Sequence, residues 1–253
     1  MGVLAPGPFS PVVALPQLEA IRETLIDRAA EIRRFLVMLA AIPFTDFAVH
    51  CPPGALVVGV DEAGRGPLAG PVVASAVALC KPRPGGLDDS KKLCARKRST
   101  LDEQVRRRCA WGVAVIEPAE IDRRNIFGAT MFAMTLAVER VAAAMGRAPD
   151  IVLVDGNLTP SGRCEGWRWP ARAIVGGDAK EPAISAASVV AKEWRDRLMI
   201  AAAREYPHYG WDRNKGYGTA EHLSALRQYG PCALHRRSFA PVAQLQMPLE
   251  IHA

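Results

Sequence analysis

VVGVDEAGRGPLAGPVVASAVAL, residues 57–79, decides how the chain is read. An apolar, β-branched run has the composition of a buried strand, yet it ends in two adjacent carboxylates, Asp61 and Glu62. Glycines at 64, 66 and 70 follow, and then a second β-branched run. Two such runs joined by small residues predict a hairpin, with strands at 56–60 and 72–79. The glycines come close to the dinucleotide fingerprint G-x-G-x-x-G, but the spacing is one residue too long. Pro67 and Pro71 also stand where that motif needs a helix to open. Small residues here are expected either to make a tight turn or to let the backbone approach a ligand closely.

Outward from the hairpin, the periods alternate. Strands are predicted at 111–116, 151–154 and 172–175, and helices at 95–108, 126–145 and 182–205, the last with proline in its first turn. The fold class is therefore α/β: a mixed sheet with some parallel pairing, flanked by helices and edged by the antiparallel hairpin. A helical C-terminal region completes it. Residues 1–15 are rich in Pro, Gly and Ala. Leu18, Ile21, Leu25, Ile32, Leu36 and Leu39 then recur at helical spacing, predicting an extra N-terminal amphipathic helix over 18–41 that packs on the main body. The expected division is an N-terminal extension (1–54), a main domain (55–242) and a tail (243–253).

Composition narrows the function classes. The chain has 253 residues, 49% of them hydrophobic, enough for a sizeable core. Lys plus Arg number 32 against 26 Asp plus Glu, a net charge of +6 that suits a polyanionic partner. Six cysteines (51, 80, 94, 109, 164, 232) form no C-x-x-C pair and read as free thiols of a reducing, cytoplasmic protein. No basic residue precedes Arg22, so a secretory n-region is missing, and Pro6 opposes myristoylation at Gly2. No uncharged apolar run approaches the length of a membrane span.

Asp61 and Glu62 close the first strand, and Asp155 closes the apolar run VLVD in the same way. If those strands are parallel neighbours, the acids emerge at one carboxyl edge, where open α/β sheets build their sites. Asp178 precedes the helix at Pro182. Singly, Asp178 suits a helix N-terminus and Asp155 suits a turn with Gly156 and Asn157. Together, four carboxylates repel one another unless a positive object lies among them. Oxygen donors with no His or Cys beside them in sequence suit Mg²⁺ or Mn²⁺ rather than zinc. Two such ions about 4 Å apart can clamp the attacking and leaving oxygens of a phosphodiester displacement. Spacing thus points to metal-dependent phosphoryl chemistry and is silent on the substrate.

The stretch GVDEAGRGPLAGPVVASAV (59–77) resembles the signature of the ribonuclease HII family, the type 2 ribonucleases H. The resemblance continues through LDDSKKL (87–93), EIDRRNIFGATMFAM (120–134), VLVDGN (152–157), GGDAKEPAISAASVVAKEWRD (176–196), YPHYGWDRNKGYGT (206–219) and HRRSFAPV (235–242). It implies a ribonuclease H-like fold and a two-metal-ion enzyme, using Mn²⁺ or Mg²⁺, that cuts the RNA strand of RNA–DNA hybrids. It also implies incision 5′ to single ribonucleotides embedded in duplex DNA, leaving 3′-hydroxyl and 5′-phosphate ends. Asp61, Glu62, Asp155 and Asp178 match the family's four acidic catalytic and metal-binding residues. Gly64, Arg65 and Gly66 match the turn that reads the ribose 2′-hydroxyl, and Tyr217 matches the tyrosine that packs on the neighbouring deoxyribose. Lys91, Lys92, Lys215, Arg236 and Arg237 are then candidate phosphate contacts. Gly176, where many members carry lysine, and Glu193 with Trp194, in place of a small or β-branched pair, depart from the pattern.

Residues 244–249, QLQMPL, loosely resemble short motifs that dock on replication sliding clamps, which makes a clamp a candidate partner. A monomer with no membrane partner is expected. A non-catalytic hybrid binder and an unrelated phosphodiesterase stay as alternatives. The retained acids speak against the binder, because a surface that merely binds phosphates gains nothing from a negative cluster.

Overall fold

A computed structural model of the chain describes residues 54–87 and 94–246. The expected helix over 18–41, Lys91, Lys92 and residues 247–249 of the clamp-like motif lie outside these. Five strands, β1 (Val57–Ala63), β2 (Val72–Ala78), β3 (Ala110–Ile116), β4 (Ile151–Asp155) and β5 (Ala171–Ile174), form one sheet in the order β3-β2-β1-β4-β5. The helices are α1 (Ala95–Arg108), α2 (Pro118–Met145), α3 (Pro182–Glu205), α4 (Trp211–Asn214), α5 (Ala220–Tyr229) and α6 (Ala240–Ala243).

The β1–β2 hairpin lies at the centre of the sheet, not at its edge as the sequence reading expected. β3 returns antiparallel to β2 in the register Val72↔Ile116 to Ala78↔Ala110 and takes the outer place, while β4 and then β5 add in parallel on the other side of β1. β1 also continues past its apolar run: Asp61↔Ser75 and Glu62↔Ala74 extend the antiparallel ladder, so both acids sit within the strand. Asp61 is buried there and Glu62 partly so.

Alternation along β1 divides its contacts. Val58 and Val60 are fully buried in the core beneath α2, together with Val152 and Val154 of β4. Each valine removed from water contributes on the order of 1.5–3 kcal/mol. Gly59 points to the opposite face, where a Cβ would stand 2.1 Å from the Ala183 carbonyl carbon, so only glycine lets the start of α3 lie directly on the strand.

α2 begins eight residues before the expected helix. Pro118 opens a short first limb, and the backbone breaks at Asn125 (φ 59, ψ 165), whose Oδ1 accepts a hydrogen bond from Gly128 N and so caps the second limb. α2 has the length and hydropathy of a membrane span. Its apolar side, including Ile121, Met134, Val138 and Val141, is buried in the core, as in a central helix of a globular domain.

Candidate active site

The parallel register Val60↔Val154 sets the next residues, Asp61 within β1 and Asp155 at the end of β4, side by side. β5 then leads into a single turn of 3₁₀ helix, Gly177–Ala179, which delivers the buried Asp178 just before α3. Asp155 Oδ1 accepts from Gly177 N at 2.7 Å and more weakly from Asp178 N at 3.4 Å, tying that turn to the end of β4. Asp61 Oδ1 accepts from Glu62 N at 2.7 Å, and the Ser188 hydroxyl of α3 also hydrogen-bonds to Asp61.

Burial is the main force on Asp61 and Glu62. Desolvation, followed by the charges of Glu62 and Asp155, pushes the Asp61 carboxyl well above the usual range; the Ser188 and Glu62 hydrogen bonds oppose this. Glu62 is also raised by burial, against the pull of Arg65, whose Nη1 stands 3.4 Å from Glu62 Oε1 on the rim. Among the described residues, no three His, Cys, Asp or Glu side chains close into a finished metal cage. The donor set nevertheless fits a hard divalent cation: it is all carboxylate oxygen, and the negative charge of Asp155 raises the proton affinity of both Asp61 and Glu62.

Beside the acids, a cleft of about 430 Å³ is lined by Glu62, Gly64, Arg65, Gly66, Arg98, Ser188, Lys192, Arg195 and Tyr217, among others. Two buried arginines brace the glycine turn that lines it. Arg236 donates from Nε to Gly70 O (2.9 Å), from Nη1 to Arg65 O (2.9 Å) and from Nη2 to Gly64 O (2.5 Å). Arg195 donates to Pro71 O (3.0 Å) and Ala69 O (3.2 Å). Five carbonyls of residues 64–71 are thereby drawn onto two guanidinium groups. In a trans peptide the N–H points opposite to the C=O, so the amides of Arg65 and Gly66 face away from Arg236. Burial lowers Arg236 to about 9, with the Arg195 charge adding to it, and burial lowers Arg195 to about 10; both keep their charge at neutral pH. Gly64 has φ +95, and a Cβ there would meet Arg195 Nε at 2.0 Å, so that position needs glycine for both its dihedral and its space.

Arg236 therefore corrects the sequence reading. It is fully buried and spends its donors on the chain's own carbonyls, so it braces the glycine turn instead of touching phosphate from the surface. The Lys215 ammonium is bonded to the Asp212 carbonyl. The backbone N–H of Arg237 is held by Asp122, with the residue itself exposed. Tyr217 is 48% exposed, and its Cε1 lies 3.7 Å from where a Gly66 Cβ would be, so its ring faces the turn across the cleft.

The sequence reading missed Ser188, Lys192 and Arg195, which share one face of α3 at spacings of four and three, and Arg98 of α1. That helical spacing was a usable signal. Glu193 accepts from Arg98 Nε at 2.7 Å, so the unusual acid anchors a cleft arginine, and the Trp194 ring packs on Trp111 at 5.6 Å. Gly176 takes a left-handed conformation (φ 63) with open space around it.

A five-stranded mixed sheet with acids at the carboxyl ends of its parallel strands defines the ribonuclease H-like class. Solved structures of that class agree. The ribonuclease H2 of Pyrococcus horikoshii OT3 superposes with a TM-score of 0.58 at 26% identity, covering 75% of this chain and 96% of its own. Bst-RNase HIII, solved in complex with Mn²⁺, superposes with a TM-score of 0.60 at 17% identity over 79% of this chain and 74% of its own. Within the class the sequence is more specific. Residues 58–242 match the family model of ribonuclease HII, and the ribonuclease HII of Novosphingobium aromaticivorans is 69% identical over 192 residues, 75% of this chain and 98% of that protein. The chain belongs to the ribonuclease HII family and is a ribonuclease H-type hydrolase.

Proposed function

We propose that the chain is an endonuclease that hydrolyses the RNA strand of RNA–DNA hybrids and incises 5′ to a single ribonucleotide embedded in duplex DNA, leaving 3′-hydroxyl and 5′-phosphate ends. The observation that carries this reading is the meeting, in one cleft, of Glu62, the braced glycine turn and the Tyr217 ring, next to the parallel strand ends that bring Asp61 and Asp155 together. The 2′-hydroxyl is the one group that separates RNA from DNA at a nucleotide, so the enzyme must approach it closely. The outward amides of Arg65 and Gly66, beside glycines that add no bulk, serve that approach, and Tyr217 closes on the adjoining sugar.

Asp61, Glu62, Asp155 and Asp178 would hold two divalent ions, Mg²⁺ or Mn²⁺; such ions, when bound, activate water and neutralise charge on the scissile phosphate without a histidine base. Ser188 orients Asp61 by its hydrogen bond, and the Gly177 amide orients Asp155. Arg98 and Lys192 line the same cleft and position the polyanion without reading bases, with Lys215 and Arg237 as further phosphate contacts and Lys91 and Lys92 as candidates on the 87–93 motif.

The test is a DNA duplex carrying one ribonucleotide, incubated with Mg²⁺ or Mn²⁺, comparing the native protein with Asp155→Asn. Cleavage 5′ to the ribonucleotide that falls at least about a hundredfold in the variant, with none on all-DNA duplex, is expected. Binding of that duplex without cleavage under either ion would leave a hybrid binder instead. A sliding-clamp contact through 244–249 is a second proposal, favoured by the exposure of Leu245 in the turn that follows α6. Clamp pull-down by the native chain should be lost in a Gln244→Ala, Leu245→Ala variant; equal recovery of both would remove this partner.

A further inference from the structure

Tyr217 and the glycine turn face each other across the cleft, and the two chain segments that carry them meet underneath. His222 stands in the first turn of α5, five residues after Tyr217, and is fully buried. His235, also buried, lies on a segment bound to residues 68–70: Ala69 and His235 form a β-bridge, Gly70 N donates to Leu234 O, and Arg236 N donates to Leu68 O. The two imidazoles touch, Nε2 to Nε2, at 3.1 Å.

Their partners fix where each proton sits. The Cys232 amide can only donate, so His235 Nδ1, 3.0 Å away, accepts, and the His235 proton must be on Nε2. The Trp211 indole N–H can only donate as well, so His222 Nε2, 3.1 Å away, accepts, and its proton is on Nδ1. From Nδ1 it is donated to the Tyr217 carbonyl at 2.9 Å. The links therefore run one way, from Cys232 N–H through His235 and His222 to the Tyr217 carbonyl. His222 Nε2 has one in-plane lone pair, which the Trp211 and His235 N–H groups share, and a proton added there would face both donors. Burial keeps both rings neutral, lowering His222 and taking His235 down to about 3. The titratable groups that face the pair are Glu221, Cys232 and the Tyr209 ring.

We propose that the His222–His235 pair is a positioning device for the reaction, holding the Tyr217 carbonyl, and with it the exposed ring, in register with the glycine turn that Arg236 braces from the next residue along. It touches no substrate and rests on the reading of the cleft given above.

The test measures kcat and KM on the ribonucleotide-containing duplex with Mg²⁺ for the native protein, His235→Asn, His235→Gln, Tyr217→Ala and the His235→Asn, Tyr217→Ala double variant. His235→Asn removes the donor facing His222 and should raise KM about tenfold while kcat stays within about twofold. Gln, whose amide reaches the Nε2 position, should restore KM. In the Tyr217→Ala background, His235→Asn should add nothing. If Tyr217→Ala raises KM and His235→Asn multiplies it equally in both backgrounds, or if His235→Gln raises KM as much as His235→Asn does, the pair is merely structural and the inference falls. If Tyr217→Ala leaves KM unchanged, the reading of the cleft fails first and takes the inference with it. Ring-nitrogen NMR of the unmutated protein checks the links without any variant: His222 should be the Nδ1–H tautomer and His235 the Nε2–H tautomer, and the reverse in either overturns the proposal.

Discussion

Asp61 is buried among other carboxylates, and its carboxyl is held well above the usual range. Its raised pKa means that the fold favours the neutral carboxyl, so the group's contribution to stability is present at low pH and is lost as pH rises through the raised value. At neutral pH the metal-free protein therefore carries the cost of charging it beside Glu62 and Asp155. Asp61→Asn should raise the Tm of the metal-free protein at neutral pH, and Mn²⁺ should raise the Tm of the native chain but not that of the variant. Thermal denaturation in chelator and in Mn²⁺ checks both; a lower Tm for Asp61→Asn in chelator would remove the repulsion argument. The four acids were legible in the sequence because each follows an apolar run or precedes a helix. Arg236 was misread because a charged letter reads as surface, whereas its burial depends on carbonyls more than 160 positions away.

The element that assembles the site is α3. It brings Ser188 to Asp61 and Arg195 to the glycine turn, and its first turn lies on β1 only because residue 59 lacks a side chain. Gly59→Ala would drive a Cβ into the Ala183 backbone, costing about 3 kcal/mol and shifting Ser188 away from Asp61. Gly85→Ala, with open space around it, should stay within about 0.5 kcal/mol of the native chain. Denaturant titration separates the two, and equal midpoints would show that α3 adapts. Helices α1 and α3 were read with their observed ends because proline and charge mark their limits. The first limb of α2 was missed because the reading began the helix at Ile126, whereas the break at Asn125 divides it from a limb that opens at Pro118.

Across the whole chain, a net charge of +6 meets a polyanion on a cleft that sets Arg65, Arg98 and Lys192 beside Glu62. Substrate binding should therefore weaken about tenfold or more between 50 and 200 mM salt, while an affinity flat in salt would place phosphate contact elsewhere. KM for the ribonucleotide-containing duplex, measured over that range at fixed Mg²⁺, is the check. The sequence by itself determined the strand-and-helix alternation, the acids at the strand ends, the glycine turn and the family, because burial period, helix limits and motif spacing are written in neighbouring residues. Only the tertiary structure decided that the hairpin sits at the sheet centre, that Arg195 and Arg236 lie beneath the turn, and that His222 meets His235. Strand neighbours and the burial of a charge are settled by which distant segments pack together, and no local pattern records that choice.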